Sequence, residues 1–374
     1  MKQLHVFTVF LTPKCFFDGQ FRYLAERGDE IVLCCSPEEG IEGFAERNHI
    51  RYVPVEIPRS ISPMGIVRAI KQIGAIIKRE RPDVVFGHTP VAALCAMIAS
   101  YLCRVKNRIY YRHGVIYTTM KGVKRFIFKM EERFVSALAT DIVNVSHSLS
   151  KLAVADHLNS DSKQHVIGHG TCGGIDAHGL FYPYKNLEGY RDKNLVFGYA
   201  GRLCVDKGTP ELVEGFVLFK GRHPEVRAEL LLIGELDARD VLPERTKEVI
   251  TGSEDIHLTG WVERGVMPRY YSMMDVFVFP SHREGFGMCV LEANAMEKPV
   301  LVSRSHGCID SIVEHVTGEY IELSAMAICK GMESMLDAEK RVRLGKAGRK
   351  WVLENFDQSV MWPEVSKLYK EILN

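Results

Sequence analysis

The chain of 374 residues is 46% hydrophobic and 25% charged, with a formal net charge of +1. This length exceeds a single ordinary core and predicts two domains of a soluble globular protein. The near-neutral charge offers no electrostatic basis for nucleic-acid binding, so we expect no nucleic-acid partner.

The first segment and the cysteines indicate a cytoplasmic protein. Residues 1–11 are apolar but too short to span a bilayer, and no small-residue cleavage pattern follows them. They predict a first β-strand rather than a signal peptide. Ten cysteines are scattered without a CxxC pair, which argues against a metal cluster and for a reducing compartment.

Apolar runs alternate with amphipathic segments through the first half of the chain. We predict strands at residues 4–11, 30–35, 51–55, 84–87, 108–112, 142–145 and 165–167. Helices are predicted between them, for example at residues 62–80 and 91–101. Strand–helix alternation is typical of a parallel, doubly wound sheet.

A glycine-rich segment at residues 168–176, followed by a polar run at residues 185–193, marks a domain boundary. We place an N-terminal domain at 1–178, a C-terminal domain at 179–355 and a closing helix at 356–374 that can pack back on the first domain. Further elements are predicted as strands at 195–200, 229–233, 256–258, 275–280 and 300–303, and helices at 210–220, 338–355 and 358–373.

A basic loop, residues 201–208, follows the strand at 195–200. Arg202 and Lys207 project from it, and two fixed cations at the carboxyl end of a strand suit a diphosphate. Thr209 is predicted as the N-cap of the next helix, with Pro210 at its first position. The alternative is a pair of solvated loop charges.

An acidic loop, residues 281–287, follows the strand at 275–280 and leads into a predicted helix at 288–296. Glu284 lies in the loop and Glu292 in the helix, close to a helix N-terminus that favours an anion. This arrangement suits a sugar nucleotide, with one carboxylate for a sugar and one for a ribose diol. The alternative is two solvated surface glutamates.

Together the two loops resemble the retaining GT-B glycosyltransferases of glycosyltransferase family 4, of the bacterial capsule and O-antigen type. The family's Gly-Arg-(x)4-Lys-Gly pattern is met by Gly201 to Gly208, and its Glu-x7-Glu pattern by Glu284 and Glu292. The glycine-rich segment at 168–176 is similar to the family's interdomain segment. The resemblance implies two Rossmann-like, doubly wound domains that face each other across a cleft and close over the substrates.

The resemblance also implies roles for single residues in the second domain. Arg202 and Lys207 hold the donor diphosphate and assist its departure, Glu292 binds the ribose, and Glu284 faces the transferred sugar. Backbone groups complete this predicted donor site, at Gly201, Gly234, Gly285, Phe286, Gly287 and the Gly307 loop. Trp261, beside the nucleotide in the family, can equally be a core aromatic.

The first domain carries the predicted acceptor side. His113 falls where many members of the family have an active-site histidine near the transferred sugar, although a histidine at a strand end can also be structural. His88 and Gly19 are further acceptor-side candidates. The family's Gly-Gly loop is replaced by residues 12–20, in which Gly19 is the only glycine.

The implied reaction is transfer from a nucleoside diphosphate sugar to a glycan hydroxyl with retention of the anomeric configuration. UDP is the default nucleotide, and both a hexose and an N-acetylhexosamine remain open. The sequence has no Asp-x-Asp pair, which metal-using enzymes of this kind usually need, so we predict metal-independent transfer without a cofactor. The acceptor is expected to be a lipid-linked glycan, such as a polyprenyl-diphosphate intermediate.

A basic segment in the first domain suggests peripheral contact with the inner face of the plasma membrane. Between Lys121 and Arg133, cations are interleaved with aromatic and aliphatic residues, as in helices that lie on anionic membranes. The alternative is an ordinary amphipathic helix that covers the sheet. Two rival functions also stay open, a sugar-nucleotide epimerase of similar shape and a non-catalytic glycan-binding protein.

Overall fold

The computed structural model describes residues 1–59, 62–184 and 194–373, so the predicted polar run at 185–193 lies outside the described residues. The chain divides into two compact units. One comprises Met1–Gly174 together with Gln358–Asn374, and the other comprises Ile175–Asp357. The last helix therefore belongs to the same unit as the first strand.

The first unit is built on a seven-stranded parallel sheet. Its strands are β1 (Lys2–Val6), β2 (Glu30–Cys35), β3 (Arg51–Pro54), β4 (Val84–His88), β5 (Asn107–Arg112), β6 (Asp141–Asn144) and β7 (Gln164–Val166). They lie in the order β3-β2-β1-β4-β5-β6-β7. Strand order reverses between β1 and β4, and in open α/β sheets ligands bind at this switch point, beyond the carboxyl ends of the strands.

Helices connect these strands and cover the sheet. They are α1 (Leu11–Phe16), α2 (Gln20–Ala25), α3 (Ile41–Arg47), α4 (Pro63–Glu80), α5 (Pro90–Leu102), α6 (Gly122–Leu138) and α7 (His147–Ala155), and the last helix of the chain is α14 (Gln358–Leu373). Buried residues of β1, β4, α4 and α5 form one apolar cluster that includes Leu4, Val85, Ile73 and Met97. Burial of both sheet faces explains why these strands read as continuous apolar runs.

The second unit repeats this plan with a six-stranded parallel sheet in the order β10-β9-β8-β11-β12-β13. Its strands are β8 (Leu195–Ala200), β9 (Ala228–Ile233), β10 (Ile256–Leu258), β11 (Val276–Phe279), β12 (Val300–Ser303) and β13 (Gly318–Ile321). Its helices are α8 (Thr209–Arg222), α9 (Glu244–Gly252), α10 (Met267–Met273), α11 (Met288–Ala295), α12 (Ala325–Ser334) and α13 (Ala338–Asn355). The switch point lies between β8 and β11.

Three details differ from the sequence predictions. The first strand ends at Val6, because Phe7 and Phe10 are buried in a turn that leads into α1. The edge strand β13 was not predicted, since its central residues are only partly buried and break the apolar run. Helix α8 begins at Thr209 with Gly208 as its N-cap, so Thr209 occupies the first helical position, and its hydroxyl accepts a hydrogen bond from the Cys204 N–H at 3.2 Å.

Candidate active site

The basic loop and the acidic loop meet at the switch point of the second sheet. The basic loop leaves the carboxyl end of β8, and the acidic loop leaves the carboxyl end of β11, which pairs directly with β8. At their junction Lys207 Nζ lies 2.5 Å from Glu284 Oε1 and 3.1 Å from the Arg283 carbonyl oxygen. The structure thus joins two residues that are 77 positions apart in sequence.

Arg202 lies on the same loop but faces a different carboxylate. Its guanidinium donates to Asp237, whose side chain is only 5% exposed, whereas that of Arg202 is 50% exposed. Burial by itself would lower the pKa of Arg202, but the hydrogen bond to Asp237 raises it. Asp237 therefore fixes a permanent, half-exposed cation at the carboxyl end of β8.

Two further ion pairs join the acidic loop to the basic loop and to α8, and sequence reasoning did not find them. Arg283 donates to Asp206 at 2.7 Å, and the His282 ring nitrogen lies 2.9 Å from Glu211. The contact with Glu211 raises the pKa of His282. A signal was present, because each loop carries adjacent charges of opposite sign, at residues 206–207 and 283–284.

Glu292 lies in the second turn of α11, where its side chain is 15% exposed. Its carboxylate accepts a hydrogen bond from the Tyr271 hydroxyl at 2.9 Å, and the guanidinium of Arg264 lies 4.0 Å away. Burial raises the pKa of Glu292, against the opposing effects of Arg264 and Tyr271. Tyr271 and Arg264 are a second pair of site residues that the sequence pattern did not indicate.

Glycines let the backbones of the site approach one another. A Cβ atom on Gly234 would lie 1.9 Å from the Gly201 carbonyl oxygen, and one on Gly307 would lie 2.6 Å from the Gly285 carbonyl oxygen. Gly287 is the N-cap of α11 with a φ of 83°, a conformation that favours glycine. The loop around Gly307 therefore packs against the acidic loop.

Aromatic residues near the site differ in their exposure. The Phe286 side chain is buried and packs against Phe356, with ring centroids 5.5 Å apart. Only its backbone can therefore serve a ligand in this structure. Trp261 is 59% exposed, so it is not a core aromatic.

The histidines of the first unit are hydrogen-bonded to each other. His88 ends β4 and is fully buried, and its Nδ1 lies 3.0 Å from Nε2 of His113, which directly follows β5. The other ring nitrogen of His88 lies 3.0 Å from Nδ1 of His5 in β1. His88 itself has no exposed surface, while His113 is half-buried, and the acceptor-side place of both histidines stays a prediction.

Gly19 is packed and hydrogen-bonded within the first unit. It is the N-cap of α2 with a φ of 78°, and its N–H donates to the Asn48 side chain at 2.9 Å. A Cβ atom there would lie 3.0 Å from the Trp362 ring. The Gly19 N–H is therefore already used inside the first unit, and the place of Gly19 on the acceptor side stays a prediction.

Helix α6 carries the predicted basic segment. Val123, Phe126, Ile127 and Phe134 recur at helical spacing and are 74%, 64%, 51% and 50% exposed. Lys121, Lys124, Arg125 and Arg133 are also exposed, while Lys129 is paired with Asp156 at 2.7 Å. On the opposite face, buried Glu132 accepts from Arg112 and from the Tyr110 hydroxyl. One face of α6 is thus anchored to β5, while the other exposes apolar and basic side chains.

Two searches of the described ranges, 1–59, 62–184 and 194–373, bear on metals and membranes. Within them, no cluster of three or more His, Cys, Asp or Glu side chains is placed to hold a metal ion. No helix within them combines the length and the apolar character that crossing a bilayer requires.

Comparison with known proteins shows the same two-part organisation. The family model "Glycosyltransferase Family 4" matches residues 20–171, and the model "Glycosyl transferases group 1" matches residues 184–351. The capsular polysaccharide biosynthesis glycosyltransferase CapM of Staphylococcus aureus is 30% identical over 361 residues, which cover 95% of this chain and 93% of that protein.

A second relative is the N,N'-diacetylbacillosaminyl-diphospho-undecaprenol alpha-1,3-N-acetylgalactosaminyltransferase of Campylobacter jejuni. It is 28% identical over 369 residues, covering 94% of this chain and 93% of that protein. The crystal structure of Anabaena Alr3699/HepE in complex with UDP and glucose superposes with a TM-score of 0.80 at 16% identity, covering 99% of both chains. The two parallel Rossmann-like sheets and the match to CapM along nearly the whole chain lead to one assignment: this chain belongs to the family 4 glycosyltransferases and has the GT-B fold.

Proposed function

We propose that this glycosyltransferase moves a sugar from a nucleoside diphosphate sugar to a hydroxyl of a lipid-linked glycan, with retention of the anomeric configuration. The main observation behind this proposal is the contact between Lys207 and Glu284 at the switch point of the second sheet. Arg202 and Glu292 lie on the same two βα connections. Such a donor needs cationic side chains to bind its diphosphate and carboxylates to accept hydrogen bonds from its hydroxyl groups.

In the proposed mechanism Arg202 and Lys207 stabilise the negative charge that develops on the leaving diphosphate. Lys207 can reach the phosphates only when Glu284 releases it, and the freed carboxylate can then accept hydrogen bonds from the transferred sugar. The acceptor hydroxyl attacks from the face that the diphosphate leaves, and its proton passes to a leaving phosphate oxygen. Because these residues supply the positive charge, we propose that transfer needs no metal ion or cofactor.

UDP is the proposed nucleotide. The Anabaena protein with the same fold was crystallised with UDP and glucose, which supports a UDP-sugar of the hexose or N-acetylhexosamine class. Glu292 is the proposed ribose ligand, since its carboxylate can accept from both hydroxyls of a diol. Gly201, Gly234, Gly285, Phe286 and Gly287 are proposed to contribute backbone contacts to the donor.

The proposed acceptor is an intermediate of a capsule or O-antigen type polysaccharide, carried on polyprenyl diphosphate at the cytoplasmic face of the membrane. The name of the Campylobacter relative describes an undecaprenyl diphosphate acceptor, and CapM is a capsular polysaccharide enzyme. The exposed face of α6 supports peripheral attachment, because apolar side chains can enter an anionic lipid surface while lysine and arginine contact its head groups.

The purified protein tests this proposal directly. It is incubated with UDP-, GDP- and ADP-sugars, a synthetic polyprenyl-diphosphate glycan and either EDTA or Mn²⁺, and the anomeric configuration of the product is read by NMR. We expect transfer from a UDP-sugar, in EDTA, with the donor configuration retained. Inversion, or activity only with Mn²⁺, would reject the mechanism, and donor binding without turnover would favour the non-catalytic alternative.

A further inference from the structure

A continuous line of side-chain hydrogen bonds runs along the first sheet from Asp29 to His113. Asp29 Oδ2 lies 3.0 Å from Gln3 Nε2, and Gln3 Oε1 lies 2.9 Å from His5 Nε2. His5 Nδ1 lies 3.0 Å from His88 Nε2, and His88 Nδ1 lies 3.0 Å from His113 Nε2. We call this line the histidine chain. Gln3 and His5 alternate on β1 and so share one face of the sheet.

The carboxylate at one end determines the direction of every hydrogen bond in the histidine chain. An ionised carboxylate can only accept, so Gln3 must turn its NH2 group to Asp29 and its carbonyl oxygen to His5. His5 Nε2 must then carry a proton, which makes His5 Nδ1 an acceptor for the proton on His88 Nε2. By the same logic His88 Nδ1 accepts from His113 Nε2. His113 Nδ1 is left without a proton.

Packing keeps these rings in place. His5 stacks on Phe86 with ring centroids 4.2 Å apart, His88 stacks on Phe7 at 4.0 Å, and His113 lies against Tyr111 at 5.0 Å. Gln3, His5 and His88 are fully buried. A ring flip would leave buried donors and acceptors unpaired, which is costly inside a protein. The tautomer of His113 is therefore set by the protein and not by solvent.

The free end of the histidine chain is the Nδ1 atom of His113. His113 is half-buried, and its Nδ1 has no hydrogen-bond partner within the ranges that the structure describes. Burial lowers the pKa of His113 to about 4, and that of His5 to about 3. Both rings are therefore neutral at physiological pH.

We propose that the histidine chain fixes His113 as a hydrogen-bond acceptor, so that Nδ1 binds a hydroxyl group of a sugar substrate and not a phosphate. The O–H of a sugar hydroxyl can donate a hydrogen bond to this nitrogen, whereas an ionised phosphate oxygen has only lone pairs and cannot donate to it. Asp29, Gln3, His5 and His88 are positioning residues that act through His113. The tautomer follows from the chain alone, and the sugar hydroxyl rests on the proposed function.

The tautomer can be measured without substrate. Long-range ¹H–¹⁵N NMR of protein labelled at histidine nitrogen distinguishes a protonated ring nitrogen from an unprotonated one, and a His113→Gln variant identifies the signal. We expect protonated Nε2 and unprotonated Nδ1 for His113 in the unmodified protein. Protonated Nδ1, or rapid averaging between the two forms, would overturn the proposal whatever reaction the enzyme catalyses.

The Asp29→Asn variant tests whether Asp29, at the far end of the histidine chain, determines the tautomer of His113. Its amide can offer an NH2 group to Gln3, which then turns its own NH2 group to His5, so every hydrogen bond reverses and His113 gains a proton on Nδ1. Asp83→Asn is the matched control, because Asp83 accepts a hydrogen bond from the Lys2 backbone nearby but is not part of the histidine chain. An unchanged His113 signal in folded Asp29→Asn protein would contradict the assigned direction.

Enzyme activity tests separately whether His113 binds a sugar hydroxyl. With a reversed tautomer His113 can no longer accept from a sugar hydroxyl, so kcat/KM for transfer should fall about threefold to tenfold in Asp29→Asn, the effect of one hydrogen bond. The Asp83→Asn control should keep its activity. A reversed tautomer with unchanged kcat/KM would refute the hydroxyl contact, and absence of transfer in the unmodified protein would refute the proposed function while the NMR result stands.

Discussion

At the scale of single residues, the cations of the proposed donor site are paired with carboxylates of the same protein. Lys207 is held by Glu284, and Arg202 by Asp237, so each cation that is proposed to bind diphosphate already has a carboxylate partner. The two pairs differ in one respect. Asp237 is nearly buried behind Arg202, whereas Glu284 lies in the loop that is proposed to receive the sugar. We therefore expect only the Lys207 pair to open when a donor binds.

Glu284→Gln should have opposite effects on binding and on transfer. Loss of the carboxylate frees Lys207, so the affinity for UDP should rise about fivefold, the effect of one charge-assisted interaction. The transfer rate should fall about tenfold or more, because the sugar loses a ligand. Isothermal titration with UDP and initial rates measure the two effects. Glu211→Gln is the control, since it breaks a neighbouring ion pair with His282 and leaves Lys207 in place. Weaker UDP binding in Glu284→Gln would contradict the proposal that Lys207 leaves Glu284 to bind the diphosphate.

Glu292→Gln should stabilise the free protein while weakening donor binding. Because the pKa of Glu292 is raised by burial, its stabilising contribution is present below the unfolded pKa and is lost as pH rises through the folded pKa. At neutral pH the buried carboxylate therefore costs stability, and the amide still accepts from Tyr271. We expect a melting temperature about 2 °C higher at neutral pH, with the gain vanishing toward pH ~4.

Thermal melts across this pH range, with and without UDP, check the result. The shift that UDP produces in the unmodified protein should shrink in Glu292→Gln, because the proposed ribose ligand is lost. Glu254→Gln, at an exposed position of the same unit, should change neither quantity. A lower melting temperature of Glu292→Gln at neutral pH would show that the carboxylate stabilises the fold.

At the scale of elements, α6 has one face that packs on the first unit and one face that is exposed. Buried Arg112, in β5, bonds to Glu132 and to Ser136 of α6, and so ties the helix to the strand that leads to His113. The start of α6 lies beyond this anchor, and every side chain from Lys121 to Ile127 is exposed. The sequence pattern predicted an amphipathic helix, but only the anchoring through Glu132 shows which face is free.

Phe126→Ser combined with Ile127→Ser should reduce binding to mixed phosphatidylcholine and phosphatidylglycerol vesicles by about tenfold or more, because two exposed apolar side chains no longer enter the lipid. Vesicle sedimentation measures the bound fraction. Val217→Ser combined with Leu218→Ser removes comparable exposed side chains from α8 and is the control. Equal binding of the two double variants would reject α6 as the membrane contact. Binding that persists in high salt would reject the contribution of its basic residues.

At the scale of the whole molecule, the end of the chain completes the first unit. The Trp362 indole in α14 donates to the Gly173 carbonyl oxygen at 2.9 Å, and its ring lies against Gly19. Met361 and Tyr369 of the same helix are buried. The first unit therefore depends on residues that follow the second unit in sequence.

Trp362→Ala should lower the stability of the first unit by about 2–4 kcal/mol, since it removes a packed ring and the Gly173 hydrogen bond. Hydrogen exchange should accelerate in α2 and around Gly173, while the sheet β8–β13 keeps its protection. Trp261→Ala, at an exposed tryptophan of the second unit, is the control. Loss of protection in both sheets together would contradict a separate effect on the first unit.

The sequence by itself determined most of the strands and the positions of the charged loops. Residues 30–35, 195–200 and 300–303 are strands as predicted, because strands buried on both faces are encoded by local apolar runs. The order of the elements also placed Arg202 and Glu284 at the carboxyl ends of strands.

Only the tertiary structure decided which of these groups meet. The pairing of Lys207 with Glu284, the contact of Tyr271 with Glu292 and the line from Asp29 to His113 join residues far apart in the chain. Their partners depend on strand order, which places β1 beside β4 and β8 beside β11. Local periodicity carries no information on that order. The sequence could therefore name Arg202, Lys207, Glu284 and Glu292, while the fold determined their partners and the proton position that we infer for His113.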